Sequence, residues 1–148
     1  MEIRQAATRD VKQIAQLLEQ LGYPTTIERL HQRIKVIEAH PNHDIFVCET
    51  QEGIVGMIGL NTGLFYVQDG SYVQISALVV DQNHRGQGIG KKLLEEAEQW
   101  ADKKGAAVTT LNIDKHVEHR TPQQFYTKMG YERESIFFSK KLTEPPHE

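Results

Sequence analysis

Apolar residues at Val11, Ile14, Leu17, Leu18 and Leu21 recur every three or four positions, the spacing that lines one face of a helix. Thr8 or Asp10 is placed to cap its start. "GYP" at 22–24 closes it, since Gly22 suits a C-terminal cap and Pro24 cannot continue a helix. The same periodicity predicts a second helix from about Thr26 to Ala39, with Ile27, Leu30, Ile34 and Ile37 on one face, ended by His40-Pro41-Asn42. "EIRQAA" at the start alternates in part and predicts a short strand. "DIFVCET" and "GIVGMIGLNTGLFYV" predict strands joined by the turn "QEG", and the glycines of the longer one suggest bulges. "GSYVQISALVVD" is a third consecutive strand. Ile89, Leu93, Leu94, Ala97, Trp100 and Ala101 mark the buried stripe of another helix. "AAVTTLNID" then predicts a β-branched strand, "TPQQFYTKMG" a short helix, and "YERESIFFSKKL" a pair of short strands or one bent strand.

The order β-α-α-β-β-β-α-β-α-β(β) predicts an α+β (mixed α/β) fold with a central sheet of six or seven strands flanked by about four helices. The stretch from "ISALVVD" through a helix to "AAVTTLNID" is long enough for a parallel crossover. No repeat or linker divides the chain, so residues 1–142 read as one domain and 143–148 as a flexible tail. At 148 residues it can bury one sizeable core, and 25% charged with 39% hydrophobic residues argues against disorder. A net charge of −3 offers no footprint for nucleic acid. No apolar run approaches the roughly 20 residues of a membrane span, and the N-terminus lacks an apolar signal region. Cys48 is alone and lies mid-strand among Ile45, Phe46 and Val47. It reads as core, and a reducing, cytoplasmic setting is expected. An exposed sheet edge would make a homodimer unsurprising.

"VVDQNHRGQGIGKKLLEEAEQW" places Gly86, Gly88 and Gly90 within five residues, just ahead of the predicted helix. Glycine costs roughly 0.5–1 kcal/mol against alanine inside a helix, so three need a reason. A Walker A loop fails, because Lys91 stands where its second glycine belongs, and the dinucleotide fingerprint G-x-G-x-x-G fails at the same residue. What remains is Arg85-x-x-Gly88-x-Gly90 between an apolar strand and an amphipathic helix. That arrangement suits anion capture. The first helical N–H groups lack intrahelical partners, the dipole adds partial positive charge, and Arg85 and Lys91 add full charges nearby.

"LVVDQNHRGQGIGKKLLEEAEQWADKKG" resembles the acetyl-CoA-binding motif of the GNAT superfamily of N-acetyltransferases, whose signature is Gln/Arg-x-x-Gly-x-Gly/Ala. "QQFYTKMGYER" is similar to the family's Phe-Tyr-x-Lys-x-Gly-Phe segment, and the β-α-α-β opening also matches. The resemblance covers nearly the whole chain. It implies an N-acetyltransferase fold in which a primary amine, of a small molecule or a peptide, attacks the thioester of acetyl-CoA directly in a ternary complex. It further implies that the backbone of Leu78, Val79 and Val80 meets the acetyl carbonyl and pantetheine amides. Amides from Arg85 and Gly86 through Gln87, Gly88, Ile89, Gly90 and Lys91 would hold the pyrophosphate. Tyr126 matches the family's general acid. A phenol of reference pKa near 10 is protonated at neutral pH and can donate to a thiolate whose conjugate acid sits near 8.5.

Two positions depart from the family pattern. Asn112 stands where relatives often carry a glutamate base, leaving Asp114, His116, Glu118 and His119 nearby, or a water chain. His119 stands where an asparagine often contacts coenzyme A, and His119 or Arg120 could take that contact. A module that binds acyl-CoA without turnover is the alternative these departures raise. Tyr23, Glu28, Asp69, Gln74 and Ser76 are further candidates to face an acceptor. The pairs His40/His43 and His116/His119 match no metal motif, and no metal is expected.

Overall fold

The structure, a computed structural model, describes residues 1–113, 123–135 and 137–143. Its strands are β1 (Glu2–Gln5), β2 (His43–Thr50), β3 (Gly53–Leu64), β4 (Ser71–Val80) and β5 (Val108–Leu111). Its helices are α1 (Val11–Leu21), α2 (Ile27–Glu38), α3 (Ile89–Lys103) and α4 (Gln123–Lys128), with 3-10 turns at Thr8–Asp10 and Gln82–His84. The strands lie in sequence order, antiparallel from β1 to β4 and parallel between β4 and β5.

Local chemistry sets these boundaries. Gly22 closes α1 at φ 102°, where a side chain would strain the backbone. Thr26 caps α2 by accepting a hydrogen bond from the Arg29 amide at 3.1 Å. Asp10, buried ahead of α1, accepts from the Ala7 amide at 2.7 Å and from both terminal nitrogens of Arg4 at 2.8 and 3.0 Å. Arg4 Nε also donates to Glu49 at 2.9 Å, so β1, β2 and the entry to α1 share one clamp.

The sheet is a middle layer. Alternation sends Ile45 and Val47 of β2, with Ile54, Met57 and Val79, onto α1 and α2. Phe46 and Cys48 turn the other way, onto Leu93, Leu94, Ala97 and Trp100 of α3. Cys48 is fully buried there, as its mid-strand position predicts. Gly56 lets α3 lie close, because a Cβ at that position would sit 3.0 Å from both Ile89 and Leu93. Two register shifts break the ladders, between Cys48 and Glu49 and between Gly59 and Leu60. At the second, Gly59 faces Ala77 and Leu60 faces Ile75, so Ser76 is an extra residue in β4.

The expectation of six or seven strands needs correcting. Five strands are present among the described residues, and none forms in 131–135 or 137–143. Phe137, Phe138 and Leu142 are 63%, 87% and 87% exposed, so these three apolar side chains find no layer to bury them. A strand needs a ladder partner, and β-forming residues alone supply none. The tail residues 144–148 lie outside the described residues.

Candidate active site

The parallel ladder between β4 and β5 covers only Tyr72–Ile75 against Val108–Leu111. β4 continues to Val80 with β3 beside it, so on the β5 side Ser76–Val80 have no strand partner among the described residues. The Asp81 amide donates to the Val55 carbonyl at 2.8 Å, which fixes the phase of the β3–β4 ladder. In an antiparallel ladder alternate residues turn both main-chain groups to the neighbour. Val79 therefore faces β3, while the main-chain groups of Leu78 and Val80 point into the gap. Of the three consecutive residues expected to share one task, only the outer two are so placed. Arg85 Nε donates to the Val80 carbonyl at 3.4 Å, drawing its side chain back along the end of β4.

Beyond the 3-10 turn, Gly86 and Gly88 take φ values of +79° and +81°, and an added Cβ on either would meet nothing within 4 Å. Both are needed for backbone shape, and both leave open space above the loop. Gly90 serves a different end: its Cβ would stand 3.1 Å from Phe125 Cζ, so its bareness lets α4 approach the first turn of α3. No side chain caps α3 at Gly88, and no acidic residue occupies its first turn. The N–H groups at that end keep their hydrogen-bonding capacity, with Arg85 and Lys91 adjacent. Gln87 and Lys91 are exposed, while the Ile89 side chain is buried beneath the loop.

A cavity of about 590 Å³ opens where β4 and β5 part. Residues from both faces of the sheet line it. Leu18, Ile34, Ile45 and Met57 come from the α1–α2 side, and Leu60, Ile75, Leu78, Leu111 and Tyr126 from the α3 side. Tyr23, Arg33, His43 and Asp44 add polar groups, and the first three are exposed. Ser76 and Asn112 also line it, whereas Glu28, Asp69 and Gln74 do not.

Tyr126 is 8% exposed, and its ring meets Phe125 edge-on at 5.2 Å and Tyr131 at 6.2 Å. Tyr131 donates to Glu98 at 3.1 Å, so its oxygen accepts from the Thr109 hydroxyl at 2.9 Å. That pair of bonds ties the end of α4 to β5 and α3. The Tyr126 hydroxyl itself hydrogen-bonds no described residue. No described side chain holds a sealed, unpartnered polar atom, so this hydroxyl opens on the cavity. Burial, then the neighbouring Tyr131, pushes its pKa up to about 12.

The acetyltransferase (GNAT) domain family matches residues 41–133, more than half of the chain. The chain belongs to the GNAT family. It is therefore an acetyl-CoA-dependent N-acetyltransferase, and its second substrate is an amine. An aminoalkylphosphonate N-acetyltransferase of Salmonella typhimurium is 29% identical over 95% of this chain and 91% of its own length. A GNAT family acetyltransferase of Staphylococcus aureus shares the fold at TM-score 0.81 and 26% identity, over 95% of this chain and 98% of its own. Glucosamine-6-phosphate N-acetyltransferase of Arabidopsis thaliana gives TM-score 0.81 at 24% identity, over 96% and 98%.

Sequence reasoning located the glycine loop, the open end of β4, Tyr126 and Asn112, and the fold brings the last two together with Leu78 around one cavity. It missed Arg33, His43 and Asp44. In the sequence His43 is only half of a pair that matches no metal motif, and its place at the head of β2 brings it to the cavity. Asp114, His116, Glu118, His119 and Arg120 lie outside the described residues. No group of three or more His, Cys, Asp or Glu that could hold a metal ion occurs among the described residues. No described helix is long and apolar enough to cross a membrane.

Proposed function

We propose that acetyl-CoA lies along the open side of β4, and that a small primary amine carrying an acidic group enters the cavity as acceptor. The observation that carries this reading is the parting of β4 from β5 after Ile75, beside the uncapped start of α3. The first-turn amides of α3, the loop amides from Arg85 through Gly88, and the charges of Arg85 and Lys91 hold the diphosphate. Leu78 and Val80 present main-chain groups to the pantetheine arm, and a strand N–H faces the thioester oxygen where negative charge develops.

Acetyl-CoA supplies an activated acetyl group. As the new C–N bond forms and C–S breaks, the nitrogen sheds one proton and the departing sulfur gains a hydrogen-bond donor. Tyr126 is that donor. His43 and Asp44 are the proton acceptors among the described cavity-lining side chains, and the amine's proton leaves towards them and the water beyond. For the acceptor, Arg33 stands among apolar walls as a cation suited to a phosphonate, phosphate or carboxylate. The Salmonella relative is named for aminoalkylphosphonates, which supports the same class.

The test is thiol release from acetyl-CoA with paired amines that differ only in the acidic group. Preference for the acidic member, lost in Arg33→Gln without change in coenzyme affinity, supports the reading; equal rates with both members defeat the acceptor class. A second reading, an acyl-CoA-binding module without turnover, draws on Asn112, which lines the cavity but is no base. Tight coenzyme binding with no thiol release across a broad amine panel would favour it.

A further inference from the structure

The segment that carries β4 into the glycine loop is held by side chains that acetyl transfer does not use. Asp81 accepts from the Asn83 amide at 3.1 Å and from Gln20 Nε2 of α1 at 2.7 Å. Gln20 in turn accepts from the Gln82 amide at 2.9 Å. His84 closes the cluster: its Nδ1 lies 2.8 Å from Asp81 Oδ2, and its Nε2 lies 2.9 Å from Glu52 Oε2 in the β2–β3 turn. The His84 side chain is only 15% exposed. Thus α1, the β2–β3 turn and the end of β4 meet at the residue immediately before Arg85.

An ionised carboxylate only accepts hydrogen bonds, and a neutral imidazole has one N–H. A ring with a carboxylate oxygen at each nitrogen is satisfied only as imidazolium. We infer that His84 in that form is a positioning residue, bridging Asp81 and Glu52 so that Arg85 and the glycine loop are held ready for the coenzyme diphosphate. This rests on the coenzyme site proposed above.

The charged groups facing the ring are Asp81, the residue after β4, and Glu52 from the turn. Gln20 on α1 is neutral, and Arg85 is drawn towards the Val80 carbonyl. The bond to Asp81 and then that to Glu52 raise the proton affinity of His84 above its ordinary value. The bridge is therefore complete on the acid side and lost as pH rises through the raised folded-state pKa. Once the ring is neutral, Asp81 still has Gln20 and the Asn83 amide. Glu52, whose side chain is 74% exposed, has water to turn to. The link that breaks is the one from the turn to the loop.

Calorimetric titration of the full chain with coenzyme A at about pH 6 and about pH 9 tests this. Wild type should bind about fivefold more weakly at the higher pH, the low end of coupling between sites because one partner is exposed. His84→Gln should bind weakly at both. His84→Arg, which stays charged and can still donate to two carboxylates, should bind tightly at both. The coenzyme's own phosphate monoester, with a second pKa of about 6, contributes a slope common to all three proteins. An unchanged wild-type slope in His84→Gln, or in His84→Arg, overturns the inference while leaving the coenzyme site standing. No binding by wild type at either pH overturns the site itself, and this inference with it.

Discussion

Replacing Tyr126 with phenylalanine removes one oxygen from the wall of the cavity and changes little else. The ring keeps its edge-on contacts with Phe125 and Tyr131, and the hydroxyl it loses has no hydrogen bond to a described residue. Stability should therefore stay within about 0.5 kcal/mol of wild type. The effect on rate follows from the raised pKa. With the phenol pushed up to about 12 and a thiol near 8.5, full proton transfer to sulfur is uphill by roughly 5 kcal/mol. In the proposed reaction Tyr126 would therefore act by donating a hydrogen bond to the departing sulfur without itself ionising. A hydrogen bond to a charged group is worth about 1.5–3 kcal/mol, which predicts a fall in kcat of about 10- to 150-fold. The assay is steady-state thiol release, with coenzyme affinity measured separately by calorimetry and expected to be unchanged. Because the phenol stays protonated well past neutrality, the loss should be the same from about pH 6 to about pH 9. An unaltered kcat would refute the role. A variant that abolishes a rate limb near pH 8 would refute the raised pKa instead.

Gly88→Ala and Gly105→Ala, at φ +81° and +75° with open space around both, should each cost about 1–2 kcal/mol of stability. Only the former, at the uncapped end of α3, should also weaken acetyl-CoA binding, by about tenfold; equal affinities in the two variants would argue against the loop. Arg4→Met strands the buried Asp10 carboxylate and should cost about 3 kcal/mol in urea unfolding, the low end because Arg4 and Glu49 keep some contact with water. Arg4 holds the Asp10 carboxyl below its usual range, so this stability is complete above about pH 4 and is lost as pH falls through the lowered folded-state pKa. A variant whose unfolding midpoint matches wild type at neutral pH would contradict it. Of the five tyrosines, Tyr126 and Tyr131 should ionise late, at about 12, chiefly because they are buried. Their contribution to stability is whole below about pH 10 and is lost as pH rises through about 12. Phenolate absorbance showing all five titrating together would count against the packing of α4.

The helices were legible because their signals are local. Gly22, Thr26 and the stripe from Ile89 to Ala101 fix termini and buried faces within a few residues of themselves. The glycine loop was legible for the same reason, although Gly90 turned out to answer to Phe125 rather than to backbone shape. The cavity was only half legible. Leu78, Asn112 and Tyr126 follow from their motifs, but His43 and Asp44 reach it through register, which pairs Asp44 with Leu60 and Leu60 with Ile75, and Arg33 through the packing of α2 on the sheet. No window of a few residues contains that information. The segment after Gly130 misled for the converse reason, since its run of β-forming residues is real while the ladder it would need is absent from the described residues.

Ser76 sets the phase of β4. Val73 and Ile75 below it, and Leu78 and Val80 above it, all face α3, which an unbroken two-residue repeat would forbid. One inserted position thus acts as a half-step in a screw thread. Deleting it would send Leu78 and Val80 into the wrong layer and bring Val79's amide round to the gap in their place. The hairpin tip, where Tyr66 and Val67 project into water, can absorb a change of length; the middle of this strand cannot.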